Sequence, residues 1–228
     1  MWKWPKAQLL AALVAAVLSI MAINSSAYAA DLYGQVLSKP AKISPERAIS
    51  RYRGKENLVK FEAGEDCVCN PGLFSVIFLT GQNLPQANIP DSIPVMAQKD
   101  KMFVPSVLTV SVGATVEFPN LDQFFHNVFS YSSAKQFDLG RYPQGKSEAV
   151  TFDKPGIVKV FCEIHYSMRA YVHVLESPYF ATSDELGNFI IKDVIPGTYT
   201  VNVWQENLPE ITQTIIIKND STYLRIGQ

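Results

Sequence analysis

An all-β protein made of two small sandwiches is what this sequence predicts, on three observations. Short runs of β-branched and aromatic residues follow one another from Leu32 to Ile217, broken by Gly, Pro, Asn and Asp. That is the punctuation of sandwiches and barrels rather than of helices. The chain has 228 residues, 47% of them hydrophobic and 18% charged, which is enough apolar side chain for more than one core. Two seams divide it: one within Gly81–Pro94, with its three prolines, and one at Glu176-Ser177-Pro178. The expected division is a leader over 1–29, an N-terminal segment over 30–94, a central domain over 95–176 and a C-terminal segment over 177–228. With 20 basic against 21 acidic residues the net charge is −1. That balance excludes the counterion-driven mode of nucleic-acid binding.

The leader reads as an export signal. Lys3 and Lys6 form a positive start, Leu9 to Ile23 is apolar apart from Ser19, and Ala27-Tyr28-Ala29 offers small residues for cleavage after Ala29. The apolar run is shorter than the ~20 residues of a spanning helix. The expectation is a soluble periplasmic protein with no stable membrane insertion once the signal is cleaved. Such a compartment permits disulfides.

Within the mature chain one short helix is signalled near 44–53. Ser44 serves as its N-cap, Pro45 sits at the first helical position and Glu46 in the first turn. All other elements read as strands. They are expected at Leu32–Leu37, Leu73–Leu79, Val107–Val112, Thr115–Phe118, His126–Phe129 and Glu148–Phe152. Further strands are expected at Ile157–Phe161, Ala170–Leu175, Phe189–Ile191, Tyr199–Trp204 and Ile211–Ile217. Turns fall at Asp184–Asn188 and Ile195–Thr198.

The chemistry concentrates in Phe161-Cys162-Glu163-Ile164-His165-Tyr166-Ser167-Met168. A thiol, an imidazole and a thioether recur at every third residue of one loop. Val158, Val160 and Cys162 share one face of the preceding strand, so Cys162 points into a core. The loop can fold His165 and Met168 back to the same point. Two soft sulfurs and one borderline nitrogen suit copper, not magnesium or calcium. A blue-copper centre needs a second imidazole. Of the two remaining histidines, His126 opens a strand that can pair across from Cys162, whereas His173 would have to reach back past its own loop. Glu163 alternates to the opposite face, which favours Met168 over a carboxylate ligand. A Cys–His nucleophile would need a third, orienting group, and the sequence signals none.

These residues resemble the cupredoxins. Thr115–Phe118, the Asn120–Asp122 turn and His126-Asn127-Val128 look like the first-histidine region of plastocyanins and amicyanins. Cys162-x2-His165-x2-Met168 has the short loop spacing of amicyanin. The resemblance spans roughly Val95 to Leu175 and implies a Greek-key sandwich with one type 1 site cycling between Cu(I) and Cu(II). His126, Cys162 and His165 would be its strong ligands and Met168 the weak axial one. It also implies that Asn127 bonds across to the loop at Glu163, and that the function is electron transfer to unidentified redox partner proteins rather than catalysis. Tyr179–Asp184, Gly187-Asn188-Phe189 and Pro196–Val201 are similar to carboxypeptidase-regulatory-like sandwich modules. By this resemblance the N- and C-terminal segments form a second small sandwich, with Leu32–Leu37 in its sheet. The whole resembles proteins labelled methylamine utilization.

Two other functions stay open at this point: a copper carrier or sensor with the metal as cargo, and a structural binding module. Three cysteines cannot all pair within one chain. With Cys162 on copper, Cys67 and Cys69 could form a tight disulfide, pair between molecules or hold an auxiliary Cu(I). Phe125 and Tyr166 are expected in an apolar rim around His165, and Phe124 and Tyr171 in packing.

Overall fold

A computed structural model describes residues 29–37, 74–82, 84–87 and 92–227. The leader, the expected helix near 44–53, and Cys67 with Cys69 lie outside the described residues. Within them the protein is all-β, with sixteen strands and no helix.

The central segment opens with a hairpin, β3 (Ala97–Lys99) and β4 (Met102–Val104), followed by β5 (Val107–Ser111), β6 (Thr115–Pro119), β7 (His126–Ser132) and β8 (Lys135–Tyr142). It continues with β9 (Ser147–Thr151), β10 (Gly156–Phe161) and β11 (Arg169–Leu175). One layer is a five-stranded sheet in the order β5-β11-β10-β7-β8. The facing layer pairs β6 with β9 and carries the hairpin beside β6 through bridges at Val95–Glu117 and Gln98–Asn120. Alternation explains the sandwich. Val158 and Val160 of β10, and Ala170, Val172 and Val174 of β11, point inward to meet Val116, Phe118 and Phe152 from the facing layer. Burying a ring such as Phe118 or Phe152 stabilises the fold by about 1.5–3 kcal/mol each. Cys162 and Met168 belong to this same core.

The flanking segments assemble a second sandwich. Its first layer is β1 (Ala30–Leu37) between β13 (Asn188–Val194) and β16 (Thr222–Gly227), antiparallel to the former and parallel to the latter. Its second layer runs β12 (Phe180–Thr182), β2 (Ser75–Thr80), β14 (Gly197–Gln205), β15 (Ile211–Ile217). Leu32, Ile77, Leu79, Phe189, Val201, Val203 and Ile215 fill the space between. Two glycines are needed for close approach here. A Cβ on Gly34 would fall 1.9 Å from the Leu224 carbonyl oxygen, and one on Gly187 would fall 2.1 Å from that of Val36.

The outer face of this module packs on the central sheet. Val76 and, partly buried, Phe78 and Trp204 meet Val107, Tyr171 and Leu175 in a small apolar cluster. At its margin the hydroxyls of Thr109 and Thr182 lie 3.1 Å apart.

Candidate metal centre

The strand β10 delivers Cys162 at its end, where the alternation of Val158 and Val160 turns the thiol into the core at 2% exposure. The following loop closes on itself. The Met168 N–H donates to the His165 carbonyl at 2.9 Å, and the Met168 side chain is 1% exposed in the same core as Cys162. From the neighbouring strand, β7, fully buried His126 points its Nδ1 to within 3.9 Å of Cys162 Sγ and 3.1 Å of His165 Nδ1. The three donor atoms lie within 4.8 Å of one another.

A carboxylate orients the deepest of these groups. His126 Nε2 lies 2.7 Å from Asp122 Oδ2, so the ring donates its Nε2 proton there and keeps the Nδ1 lone pair turned to the cluster. Burial alone would raise the Asp122 carboxyl. The Lys101 amide, the His126 ring and the Asp100 amide outweigh it and hold the group below the usual carboxylate range. Those amides come from the β3–β4 turn, where Asp100 and Lys101 adopt φ values of 55° and 57° and donate to Oδ1 at 2.7 Å and Oδ2 at 3.0 Å. Asn120 holds the turn from below, its Oδ1 accepting the Asp122 amide at 2.9 Å. Sequence reasoning places Asp122 in a turn and misses its contact with His126. A signal is present: an acid four residues before the histidine, beside an asparagine able to close the turn.

Asn127 ties the two segments together. Its Oδ1 accepts the Glu163 amide at 3.3 Å, and its Nδ2 donates to Asp138 Oδ1 at 2.7 Å. The Glu163 carboxylate turns outward to Arg141 Nε at 2.6 Å, away from the cluster.

His165 is half-buried. Burial first, then the neighbouring His126 ring and the Lys101 ammonium, lower its pKa and keep the ring neutral and available as a donor. Around it the surface is apolar. Phe125 is 54% and Tyr166 86% exposed. Phe124, expected in packing, instead stands over both imidazoles at 5.2 and 5.4 Å and is capped by Lys101 at 5.4 Å. Tyr171 and His173 lie elsewhere, on the opposite face of β11 against Trp204.

The donor set decides which metal would fit. One thiolate and two imidazoles, with a thioether buried in the same core, are too soft for magnesium or calcium and match the donors that select copper. Two Nδ1 atoms converge at 3.1 Å, and with His126 Nε2 protonated their lone pairs repel unless a proton or a cation lies between them. The residues fit copper.

Residues 92–175 match the family described as copper binding proteins, plastocyanin/azurin family, and residues 164–224 match polysaccharide lyase family 4, domain II. The overlap is largely β11, which pairs with β10 and β5 of the central sheet. Among solved structures, the copper-containing nitrite reductase NirK of Thermus scotoductus SA-01 is 27% identical over 39% of this chain, with a TM-score of 0.36. The chain spans 23% of the reductase's length. A purple cupredoxin of Nitrosopumilus maritimus is 22% identical over 36% of this chain and 99% of its own, at a TM-score of 0.33. A reduced amicyanin variant is 23% identical over 43% of this chain and 99% of its own, at 0.35. No match is found among the curated proteins. By the family match, residues 92–175 form a cupredoxin domain similar to the plastocyanin/azurin copper-binding proteins.

Proposed function

We propose that this chain is an exported, periplasmic electron carrier with one type 1 copper site, held by His126, Cys162 and His165 with Met168 as the axial ligand. The observation that carries the reading is the convergence of His126 Nδ1, His165 Nδ1 and Cys162 Sγ within 4.8 Å. Copper, when bound, supplies a one-electron couple between Cu(I) and Cu(II). The residues around it do the rest. Cys162 brings a thiolate that couples the site electronically to β10. Asp122 holds the His126 ring in one tautomer. Asn127 keeps β7 and the Cys162 loop at a fixed separation. A site whose ligands are fixed by packing and hydrogen bonds reorganises little when the charge changes.

His165 is the one imidazole with solvent contact, and Phe125 and Tyr166 surround it with exposed rings. That face supports docking of a redox partner protein, with the electron entering and leaving at His165. No enzymatic role is proposed. The working division into an accessory sandwich and a central domain over 95–176 follows the same reading. Among the described residues no helix is long and apolar enough to cross a membrane.

The test is optical. Purified copper-loaded protein should show an intense visible thiolate-to-copper band, and Cys162→Ser should abolish it. An oxidised, copper-replete protein without that band would overturn the reading.

A further inference from the structure

One carboxylate of the accessory module is buried against the strand that leaves the copper loop. Glu206 follows β14 in the turn toward β15, yet its side chain is only 7% exposed. Its Oε1 accepts the Tyr171 hydroxyl proton at 2.8 Å and stands 3.5 Å from Arg169 Nη2. Both partners belong to β11, and Arg169 is the residue immediately after Met168. Apart from the Thr109–Thr182 hydroxyl contact at its margin, the junction around Glu206 is apolar or unpaired. The Tyr171 and Trp204 rings meet at 5.2 Å, and His173 stacks 5.1 Å from Trp204 with neither ring nitrogen bonded.

Apolar contact is non-directional, so these rings alone would tolerate small slides of one module on the other. A buried carboxylate does not tolerate them, because its desolvation is offset only while both partners keep their geometry. Glu206 therefore adds a directional side-chain tie at the beginning of β11, beside the backbone pairing of that strand with β10 and β5. The consequence reaches the loop. Arg169 lies opposite Phe161, the residue before Cys162. Met168 is suspended between its own bond to His165 and the anchored Arg169. An axial thioether bond to copper is long and weak, and the potential depends on where the sulfur is held.

We propose that Glu206 is a positioning residue through which the accessory module holds Met168 in place, making the reduction potential a joint property of the two modules. The proposal rests on the copper reading above. It assigns the second sandwich a purpose: it braces the ligand loop from outside the cupredoxin domain.

The full chain carrying Glu206→Gln or Tyr171→Phe tests it. Glu206→Gln removes a negative charge and leaves Arg169 unpaired. Both changes favour Cu(I), so the potential rises. Tyr171→Phe removes only a neutral hydroxyl and so separates positioning from charge. The expected result is that both variants change the copper hyperfine splitting and the ratio of the thiolate bands, and that Glu206→Gln also shifts the potential upward. In metal-free protein both should speed hydrogen exchange at the Met168 and Tyr171 amides several-fold. Unchanged spectra and unchanged exchange in both variants would overturn the brace, even if the melting temperature fell. A wild-type protein without the thiolate band would instead overturn the copper reading. The exchange measurement needs no metal and still judges the brace.

Discussion

The Asp122 carboxylate accepts the Nε2 proton of His126 at 2.7 Å while also holding the amides of Asp100 and Lys101. One small side chain thus fixes the His126 tautomer and anchors the β3–β4 hairpin above it. Asp122→Ala should therefore weaken copper binding by about 10–100-fold, the usual effect of removing a ligand's outer hydrogen-bond partner. Chelator competition would measure it, and Asp122→Asn should lose less.

Asn127 makes its bonds from the residue beside His126, linking β7 to the Glu163 amide and to Asp138. It is buried, so Asn127→Leu leaves the Glu163 amide unsatisfied. A loss of about 1–3 kcal/mol is expected, read by denaturant unfolding of the metal-free protein. Faster copper release should accompany it.

Met168 is held 1% exposed in the same core as Cys162. Met168→Leu keeps the volume nearly constant and removes only the thioether. The thiolate band should persist. The potential should rise, because a hydrocarbon cannot donate to Cu(II), and voltammetry on the purified variant checks the direction.

His173 is 5% exposed, and both its ring nitrogens lack hydrogen-bond partners. Burial pushes its pKa from 6.5 down to about 4. Unfolded chains bind a proton here below about pH 6.5, whereas the folded chain stays neutral down to about 4. Stability is therefore full above pH 6.5 and falls as the pH drops towards 4, by on the order of 3 kcal/mol. Wild-type unfolding measured at pH 7 and pH 4.5 should show this loss, and His173→Leu should flatten it.

Strands with clean alternation are legible in the sequence itself. β1 alternates buried and exposed residues, β5, β10, β11, β14 and β15 carry β-branched residues, and the positions of all six match expectation to within a few residues. What escapes has physical causes. β8 exposes one face and only partly buries Phe137 and Leu139 on the other, and its sequence Lys-Gln-Phe-Asp-Leu-Gly-Arg-Tyr carries charge and glycine; as an edge strand it needs little apolar signal. β3, β4 and β12 are three residues each, too short for a period to appear. The cluster of His126, Cys162 and His165 is readable from ligand type and spacing. Asp122 and Glu206 are not, since carboxylates are common and only folding shows which one faces a ligand or the neighbouring module.

The pairing of β1 with β16 sets an order of assembly. Leu32 must find Thr222, so the accessory sheet closes only when nearly the whole chain is available. The cupredoxin strands from β3 to β11 are contiguous and can assemble first. Glu206 arrives with the late-folding module. The bracing contact on the copper loop is then a final step, made after the ligand cluster has formed and dependent on synthesis reaching the last strand.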